Sequence, residues 1–533
     1  MNQIAPLAAI CLAACTGTIG DNDAAGRGGP DGPGSITLDG PPDCSTVGPR
    51  MIRRLSSEQL DKTLVALFDD ETVPLTEVLT DPLVNGFRVD ATEAVIRDLN
   101  AQQIMVHAER VAVWAVENKL STLSSCQTAD ATCYRSFVET FGRRVYRTPV
   151  PAASVESYLA LAQEEPTFAD GIEAVLSVML QSPYLYYRQE RGLAEEAGTF
   201  RLSPDEVAVN LAYTLTDGPP DETLVQAAAE GRLATPEDLA REAQRLLQSA
   251  ASDERLTHFV EGWVETDDLR TRTKLDPENR YSETVADAML HETSTFFREV
   301  VRSGGDYAEL LTASYTYIDS TLAGYYGVTA SGDGFTRVAL TDTDRPRGLL
   351  GQGSFLARHS LAEASSPVQR GYIVSERFLC RPVPDPPPGI VTDLEPITEP
   401  TTTRARYETH LNQDTCRGCH VSLDPIGFTF ENFDAFARHR DTENGFPIDA
   451  TGEIADTDGT ALPLANADAL IEYLAESEAS QSCFAGYLSY YAYGLDGCNP
   501  EAIATLSGGP DASVEDLIVA IVQAPHFTQR RAE

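Results

Sequence analysis

Residues 202–216, LSPDEVAVNLAYTLT, carry a strong helix-initiation signal. Ser203 is a favoured N-cap residue, Pro204 stands at the first helical position, and Glu206 can close a capping box three residues after the cap. Apolar residues on both sides of the cap form a hydrophobic staple. Together these features predict a helix that begins at Pro204.

The same kind of signal recurs along the chain. In LSSEQL (55–60) Ser56 is the N-cap, Gln59 completes a capping box, and Leu55 is expected to form a hydrophobic staple with Leu60. Thr235 is the corresponding N-cap before Pro236. Strand signals are scarce, so the sequence predicts a mainly α-helical protein. The apolar stripe of the first helix is Leu60, Leu64, Leu67 and Phe68, and further helices are predicted at about 90–118, 137–146, 152–163, 171–187, 282–302 and 315–326.

A proline-rich segment divides the second half of the chain. Residues 348–380 read as two helices separated by a polar break at 365–367, and RPVPDPPPG (381–389) follows as a stiff spacer that continues with acidic and threonine-rich residues to 403. Residues 365–367 together with Arg370 would either face a ligand or simply break a helix, and the sequence does not decide between the two. A domain boundary is therefore predicted within 381–403.

The chemistry of the chain centres on Cys416-Arg417-Gly418-Cys419-His420, a C-x-x-C-H motif. Cysteines three apart on a helix point to the same side, where they can form thioethers with both vinyl groups of a haem while His420 coordinates the iron. The motif predicts one covalent haem c. A zinc site, a redox-active cysteine pair and chance occurrence are the competing interpretations, although no second Cys or His pair of similar spacing supports zinc.

The second axial ligand of such a haem is an open question in the sequence. No methionine follows Met289, which removes the usual downstream Met ligand. Either a second histidine binds the iron or the iron keeps an open position. The candidate histidines are His410, His359, His439 and His526, with His410 closest to the motif.

The N-terminus resembles a bacterial lipoprotein signal. Residues 1–15, MNQIAPLAAICLAAC, are short and apolar and end at Cys15, which would be acylated. A plain cleaved signal peptide is the alternative, and no Lys or Arg precedes Cys15. Residues 16–49, rich in Gly, Pro and Asp, predict a flexible tether. We expect an exported protein anchored by lipid to the outer membrane, facing the periplasm or the cell surface.

Charge and cysteine content agree with export. A net charge of −41 excludes nucleic acid as a partner and favours cationic protein partners. Six cysteines lie outside the signal and the motif, an even number that predicts disulfides in an oxidising compartment. The pairing that we expect, among fifteen possible ones, is Cys126–Cys133, Cys483–Cys498 and Cys44–Cys380.

Several segments, in this order, resemble one known family. They are RRLSSEQLDKTLVALF, FVETFGRRVYRTPV, LSPDEVAVNLAYTLTDGPPDETLVQAAAEGRL, SSPVQRGYIVSERFLCRPVPDPPPGI, CRGCHVSLDPIGFTFENFDAFARHR and CFAGYLSYYAYGLDGC. The chain is similar to exported, multi-domain c-type-cytochrome-like proteins of planctomycetes and myxobacteria, whose domains are of unknown function. The resemblance implies a haem c domain and a helical body, places His410 where the family carries a histidine, and supplies no substrate.

The expected organisation is a multi-domain helical body followed by a C-terminal cytochrome-c-like helical haem domain. Electron transfer to or from an unknown redox partner is the expected function. A haem-dependent oxidoreductase acting on a small or carbohydrate-linked substrate, and a non-haem binding or scaffold lipoprotein, are the alternatives. The predicted divisions are 1–15 signal, 16–49 linker, 50–120, 121–195 and 196–345 helical domains, 346–462 haem domain, and 463–533 C-terminal helical domain.

Overall fold

The protein is mainly α-helical in a computed structural model of the chain, as the sequence predicts. The structure describes residues 47–76, 79–330, 332, 334–341, 343–384, 400–411, 414–455, 460–495, 503, 507–509 and 511–532. None of the helices in these ranges is both long and apolar enough to cross a membrane.

The N-terminal unit has its own core, in which Leu64, Phe137, Phe141 and Leu176 are buried. Helices from both the 50–120 and the 121–195 regions contribute to this single core. Its elements are β1 (Arg53–Arg54), α1 (Ser57–Phe68), α2 (Asp98–Leu123), α3 (Ala131–Tyr146), α4 (Ala152–Gln163), α5 (Phe168–Met179), α6 (Pro183–Tyr186) and β2 (Tyr187–Arg188).

The central unit begins a second and larger core around Phe259, Trp263 and Phe297. Phe87, from the N-terminal region, stacks on Phe259 and so belongs to this core. Its elements are β3 (Thr199–Arg201), α7 (Pro204–Thr216), α8 (Glu222–Ala229), α9 (Pro236–Leu247), α10 (Asp253–Trp263), α11 (Glu283–Ser303), α12 (Tyr307–Thr312), β4 (Tyr315–Ile318), α13 (Ser320–Tyr326), β5 (Thr336–Ala339), α14 (Gly353–Arg358) and α15 (Pro367–Ile373), with 3-10 turns at Ala250–Ser252, Leu269–Thr271 and Leu349–Gly351.

The C-terminal part packs into the same second core through Phe430, Phe484 and Ile521. The chain passes from α15 into a π-helical turn, Val374–Phe378, before the proline-rich segment. Its elements are α16 (Thr403–Leu411), α17 (Asp414–Phe428), β6 (Thr442–Glu443), β7 (Phe446–Pro447), β8 (Gly452–Ala455), β9 (Ala461–Leu464), α18 (Ala467–Glu476), α19 (Glu478–Tyr493), α20 (Val514–Gln523), α21 (Pro525–Thr528) and β10 (Gln529–Arg531).

The helix starts predicted from capping signals are confirmed. Ser56, Ser203 and Thr235 each accept a hydrogen bond from the third backbone N–H of their helix, and each closes a capping box. Such a box satisfies donors that the first helical turn leaves without partners. The predicted stripe of α1 is buried.

Two expectations about local structure are wrong. Residues 315–326 begin with strand β4, which pairs with β5 in antiparallel register, and only the second half is helical. Leu55 packs with Val209 and Tyr213, whereas Leu60 belongs to the N-terminal core, so the expected staple between Leu55 and Leu60 is not formed.

Short antiparallel ladders join segments that are distant in sequence. β1 pairs with β2, which closes the N-terminal unit, with Arg53 opposite Arg188 and Arg54 opposite Tyr187. β3 pairs with β10, so the end of the described chain returns to the start of the central unit.

The expected Cys126–Cys133 disulfide is present, but the expected pairing of Cys380 and Cys483 is wrong. Cys380 is bonded to Cys483, which excludes the expected pairs Cys44–Cys380 and Cys483–Cys498. The bond connects the end of the π-helical turn to α19 across the second core, because both segments pack there. Cys44 and Cys498 lie outside the described residues.

Candidate functional site

The C-x-x-C-H motif lies within one continuous helix, α17, from Asp414 to Phe428. At 100° per residue, the backbone positions of Cys416, Cys419 and His420 fall on one side of that helix. The side chains of both cysteines lie outside those that the structure describes. The helical backbone nevertheless has the geometry that thioether attachment at this spacing requires.

His420 is oriented by a carboxylate one turn further along α17. Its Nδ1 lies 3.0 Å from each carboxylate oxygen of Asp424. The Asp424 side chain is fully buried, whereas the imidazole is 21% exposed. A carboxylate accepts hydrogen bonds, so Nδ1 carries the proton and Nε2 carries the lone pair that can bind a metal.

A close helix crossing fixes the position of α17. A Cβ atom at Gly427 would lie 1.8 Å from the Pro367 carbonyl oxygen, and one at Gly371 would lie 2.0 Å from the Leu423 carbonyl oxygen. Only glycine allows α15 and α17 to approach this closely. The crossing lies directly after His420 along α17 and holds the second half of the motif helix against the protein.

Helix α16, which contains His410, packs against α17. Burial raises the pKa of Tyr407 on α16, and the charge of Asp424 raises it further, although a hydrogen bond with Ser366 acts in the opposite direction. The side chain of His410 lies outside those that the structure describes. Its backbone is therefore placed in a helix adjacent to the motif, and its role as the second axial ligand stays a prediction.

The other candidate histidines have partners of their own. His359 is 1% exposed, and its Nε2 lies 2.8 Å from the Val264 carbonyl oxygen. His526 is buried against the ring of Tyr493 near the end of the chain. His439 contacts the ring of Phe433. These contacts give His359 and His526 structural roles and leave His410 as the strongest candidate.

Arg370 holds the chain that follows α17. This residue is fully buried and donates hydrogen bonds to the carbonyl oxygens of Phe430, Phe433 and Asp434 at 2.9–3.0 Å. Ser365 donates to the buried carboxylate of Glu431 at 2.9 Å. The polar break at 365–367 and Arg370 therefore support the chain that follows the C-x-x-C-H motif.

The three phenylalanines after the motif are core residues. Helix α17 ends at Phe428, so Phe430, Phe433 and Phe436 lie beyond the helix. Phe430 packs on Phe355, and Phe436 packs on Tyr281. These contacts join the motif region to the central unit.

The residues present fit a covalently bound haem. The donor set combines two cysteines at attachment spacing on a helical backbone with an adjacent histidine, and the proton on Nδ1 of that histidine leaves Nε2 for iron. Cys416 and Cys419 would hold the group, and His420 would be its proximal ligand.

A second site, which the sequence did not reveal, lies where the N-terminal and central units meet. A cavity of about 420 Å³ is lined by residues of β1, α1, β2, α10 and the end of α19. This volume falls in the range of small-molecule sites. The lining includes the arginines Arg53, Arg54, Arg88, Arg188 and Arg255.

Two buried carboxylates, Asp217 and Glu190, pair with two of these arginines, Arg255 and Arg53. Asp217 lies 3.0 Å from Arg255 and accepts a hydrogen bond from Gln59 at 2.7 Å. Burial by itself would raise the pKa of Asp217, but the charge of Arg255 together with these donors holds it below its ordinary value. Glu190 pairs with Arg53 at 3.0 Å and also with Arg530. Burial opposes its ionisation, yet these arginines lower the pKa of Glu190 to about 2.

The described residues also bring Glu58, Glu254 and His258 close enough to hold a metal ion. Lys62 already lies between the two carboxylates, 3.1 Å from Glu58 and 2.7 Å from Glu254. Its ammonium group supplies the positive charge that these acids need. The cluster is an ion-pair network at the edge of the cavity.

The sequence missed the cavity because its residues come from distant segments. Arg53 and Arg188 are brought together only by the β1–β2 ladder, whose strands are two residues long. Two-residue strands leave no alternation for pattern analysis to detect. The one local signal was the adjacent pair Arg53-Arg54, which resembles any charged surface segment.

Three family models match the chain, and each is described as a protein of unknown function. The DUF1595 model matches residues 133–190, the DUF1592 model matches residues 202–328, and the DUF1588 model matches residues 346–443. Searches of curated proteins and of solved structures found no match.

These three domains are typical of cytochrome-c-like families. The DUF1588 match contains the C-x-x-C-H motif and both of the helices α15 and α17 that cross at the glycines. The three matched domains are planctomycete-type cytochrome-c-like domains of unknown function, which is consistent with the resemblance noted from the sequence.

Proposed function

We propose that the protein is a c-type cytochrome-like lipoprotein that carries one covalent haem and transfers electrons to or from a redox partner. The observation that carries the proposal is the C-x-x-C-H motif on helix α17, in which the buried Asp424 orients His420. The domain matches support it, since such domains are typical of cytochrome-c-like families.

Each residue of the motif has a defined task in this proposal. A bound haem would supply one-electron redox chemistry. Cys416 and Cys419 attach the group, and His420 presents Nε2 to the iron. Asp424 holds the proton on Nδ1 and gives the imidazole more electron density, which favours the oxidised state of a bound iron. His410 is the proposed second ligand.

The surroundings of the protein follow from its sequence. Cys15 is the proposed lipid attachment site, which would anchor an exported chain to the outer membrane. The net charge of −41 favours a basic redox partner, because opposite charges accelerate encounter. Residues 1–46, including Cys15, lie outside the described part of the chain.

A haem test on the full chain examines the proposal directly. The protein is produced together with a c-type cytochrome maturation system, separated on a denaturing gel and stained for haem peroxidase activity. A pyridine haemochrome spectrum gives the haem stoichiometry. We expect one covalent haem for each chain, and we expect the Cys416→Ala/Cys419→Ala variant to have none.

The Cys126→Ala/Cys133→Ala variant is the matched control, because it removes the two cysteines of a disulfide that is distant from the motif in sequence. It should keep the haem. A colourless wild-type protein under these conditions would contradict the proposal, and bound zinc would favour the scaffold alternative. A low-spin ferric spectrum that is lost in His410→Ala indicates bis-histidine ligation. A high-spin spectrum that changes with cyanide indicates an open position and favours the oxidoreductase alternative.

A further inference from the structure

The cavity between the N-terminal and central units contains a buried arginine without a carboxylate partner among the described residues. Arg188 is 7% exposed and lines the cavity. Its Nε has no hydrogen-bond partner, and its terminal nitrogens make only long contacts of 3.5 Å with Thr214 and Gln59. A buried guanidinium in this state is costly unless an anion compensates it.

The ladder increases this cost. Arg53 and Arg188 stand directly opposite each other in the β1–β2 pair. Like charges opposite each other on antiparallel strands are destabilising. Burial lowers the pKa of Arg188 well below its ordinary value, and the charges of Arg53 and Arg255 lower it further, although Asp217 and Tyr213 act in the opposite direction. The native fold therefore maintains an arrangement that weakens it.

The charges around Arg188 show what is missing. Glu190 forms ion pairs with Arg53 and Arg530, and Asp217 forms an ion pair with Arg255. Together with Arg188, four guanidinium groups therefore lie near these two carboxylates. Part of this excess is offset by backbone carbonyl oxygens, which accept from Arg53, Arg255 and Arg530. The contacts of Arg188 include no such acceptor. The unmet requirement is for one negative charge beside Arg188.

A neighbouring arginine, Arg147, provides a comparison, because its guanidinium has a purely structural role. Arg147 lies over the ring of the same residue, Tyr213, as Arg188 does. It is buried too, but it donates to the carbonyl oxygens of Tyr184, Leu185 and Tyr187 at 2.6–3.1 Å. Arg147 is satisfied by the backbone and does not line the cavity, whereas Arg188 lines the cavity with donors to spare.

We propose that this cavity binds a small organic monocarboxylate, whose carboxylate group pairs with the guanidinium of Arg188. A planar carboxylate matches the parallel N–H donors of an arginine. The acids that share the lining, among them Asp217, Glu58 and Asp81, disfavour a doubly charged phosphate. The cavity volume of about 420 Å³ leaves room for an organic group beyond the carboxylate. The proposal does not depend on haem.

Calorimetric titration of the full chain tests the site. The probes are acetate, lactate and glucuronate, and inorganic phosphate is the divalent competitor. The chloride concentration and the ionic strength are the same in every titration. We expect at least one monocarboxylate to bind with one-to-one stoichiometry, and we expect phosphate to bind at least tenfold more weakly. Absence of carboxylate binding, or preferred binding of phosphate, overturns the proposal.

Two substitutions distinguish the site from a surface effect. Arg188→Met removes the buried charge and keeps the length of the side chain, so it should weaken binding at least tenfold. Arg241→Met removes an exposed charge of α9 that does not line the cavity and should leave binding unchanged. Equal effects of the two changes on binding contradict a specific role for Arg188.

Stability gives a second readout that needs no ligand. A residue kept for ligand binding weakens the free protein, so Arg188→Met should unfold at the same or a higher urea concentration than the wild type. The Arg147→Met protein should be strongly destabilised, because the change leaves three carbonyl oxygens without their hydrogen-bond donor. Comparable destabilisation by both changes would give Arg188 a structural role and would overturn the proposal.

Discussion

His420 and Asp424 form a histidine–carboxylate pair one helical turn apart, with Nδ1 3.0 Å from each carboxylate oxygen. The His420 imidazole is 21% exposed at the surface of helix α17, whereas the Asp424 carboxylate is fully buried in the protein interior. Such a pair fixes the tautomer and the orientation of a metal-binding histidine.

Asp424→Asn should raise the reduction potential of the haem-loaded protein. An amide accepts a weaker hydrogen bond from Nδ1 than a carboxylate does and so stabilises the oxidised iron less; a loss of about 1 kcal/mol of this preference for the oxidised state corresponds to roughly 40 mV for one electron. Redox titration followed by visible absorption measures the shift. The variant should keep its covalent haem, since the cysteines are unchanged. The role assigned to Asp424 is wrong if the potential is unchanged or falls.

Gly427→Ala should destabilise the protein by about 1–3 kcal/mol, because the new methyl group would overlap the Pro367 carbonyl oxygen at the α15–α17 crossing. Gly418→Ala is the control within the same helix, where nothing lies within 4 Å of the added atom. Alanine is the better helix former, so this change should stabilise α17 by about 0.5–1 kcal/mol. Urea unfolding of the haem-free chain measures both effects, and similar values for the two variants would contradict the close crossing.

Removal of the Cys380–Cys483 disulfide should cost about 2–5 kcal/mol of unfolding free energy. The bond closes a segment of 103 residues, whereas Cys126–Cys133 closes one of only 7. The longer loop gains more entropy in the unfolded chain, so the Cys380→Ala/Cys483→Ala variant should lose more stability than the Cys126→Ala/Cys133→Ala variant. Urea unfolding of both variants checks this order. Mass spectrometry of non-reduced peptides checks the pairing itself, and a Cys44–Cys380 peptide would disprove it.

The stability of the protein should decrease as the pH falls from about 6.5 to about 4. Burial, together with the nearby charges of Arg530, Arg53 and Arg531, lowers the pKa of His526 from 6.5 to about 4, although Glu190 acts in the opposite direction. Between these values the unfolded chain binds a proton that the folded chain does not, so stability is lost on acidification. The loss from His526 is at most about 3 kcal/mol.

Urea unfolding at pH 7, 5.5 and 4.5 compares the wild type with His526→Phe. The phenyl ring keeps the packing on Tyr493 without a titrating group, so the variant should lose less stability over this range. His291→Phe is the control, because His291 is exposed on α11, and it should follow the wild type. Equal pH dependence of His526→Phe and the wild type would show that another group is responsible.

Much of the helical structure was predictable because helix capping is local. Ser56, Ser203 and Thr235 signalled their helices through residues within one turn, and the structure places the starts there. The strand at 315–318 was missed because it pairs with 336–339, and no local feature reports that partner. The disulfide expectation failed for the same reason, since Cys380 and Cys483 meet only after the second core has formed.

Among the functional residues, the types and the spacing of the motif residues are visible in the chain without any structure. The spacing of Cys416, Cys419 and His420 places the three residues on one side of a helical turn, and this does not depend on the rest of the chain. Tertiary structure decided which neighbours support it. The Gly371–Gly427 crossing and the buried position of Asp424 depend on how α15 and α17 meet.

The cavity around Arg188 was decided by tertiary structure alone. Its charge imbalance exists because two-residue strands place Arg53 and Arg188 face to face, while Glu190 and Asp217 serve other arginines. A sequence records how many charges a chain has, and by that measure this chain is strongly acidic. Folding decides which charges are removed from water together, and burial gives one unpaired guanidinium in an acidic protein its large energetic effect.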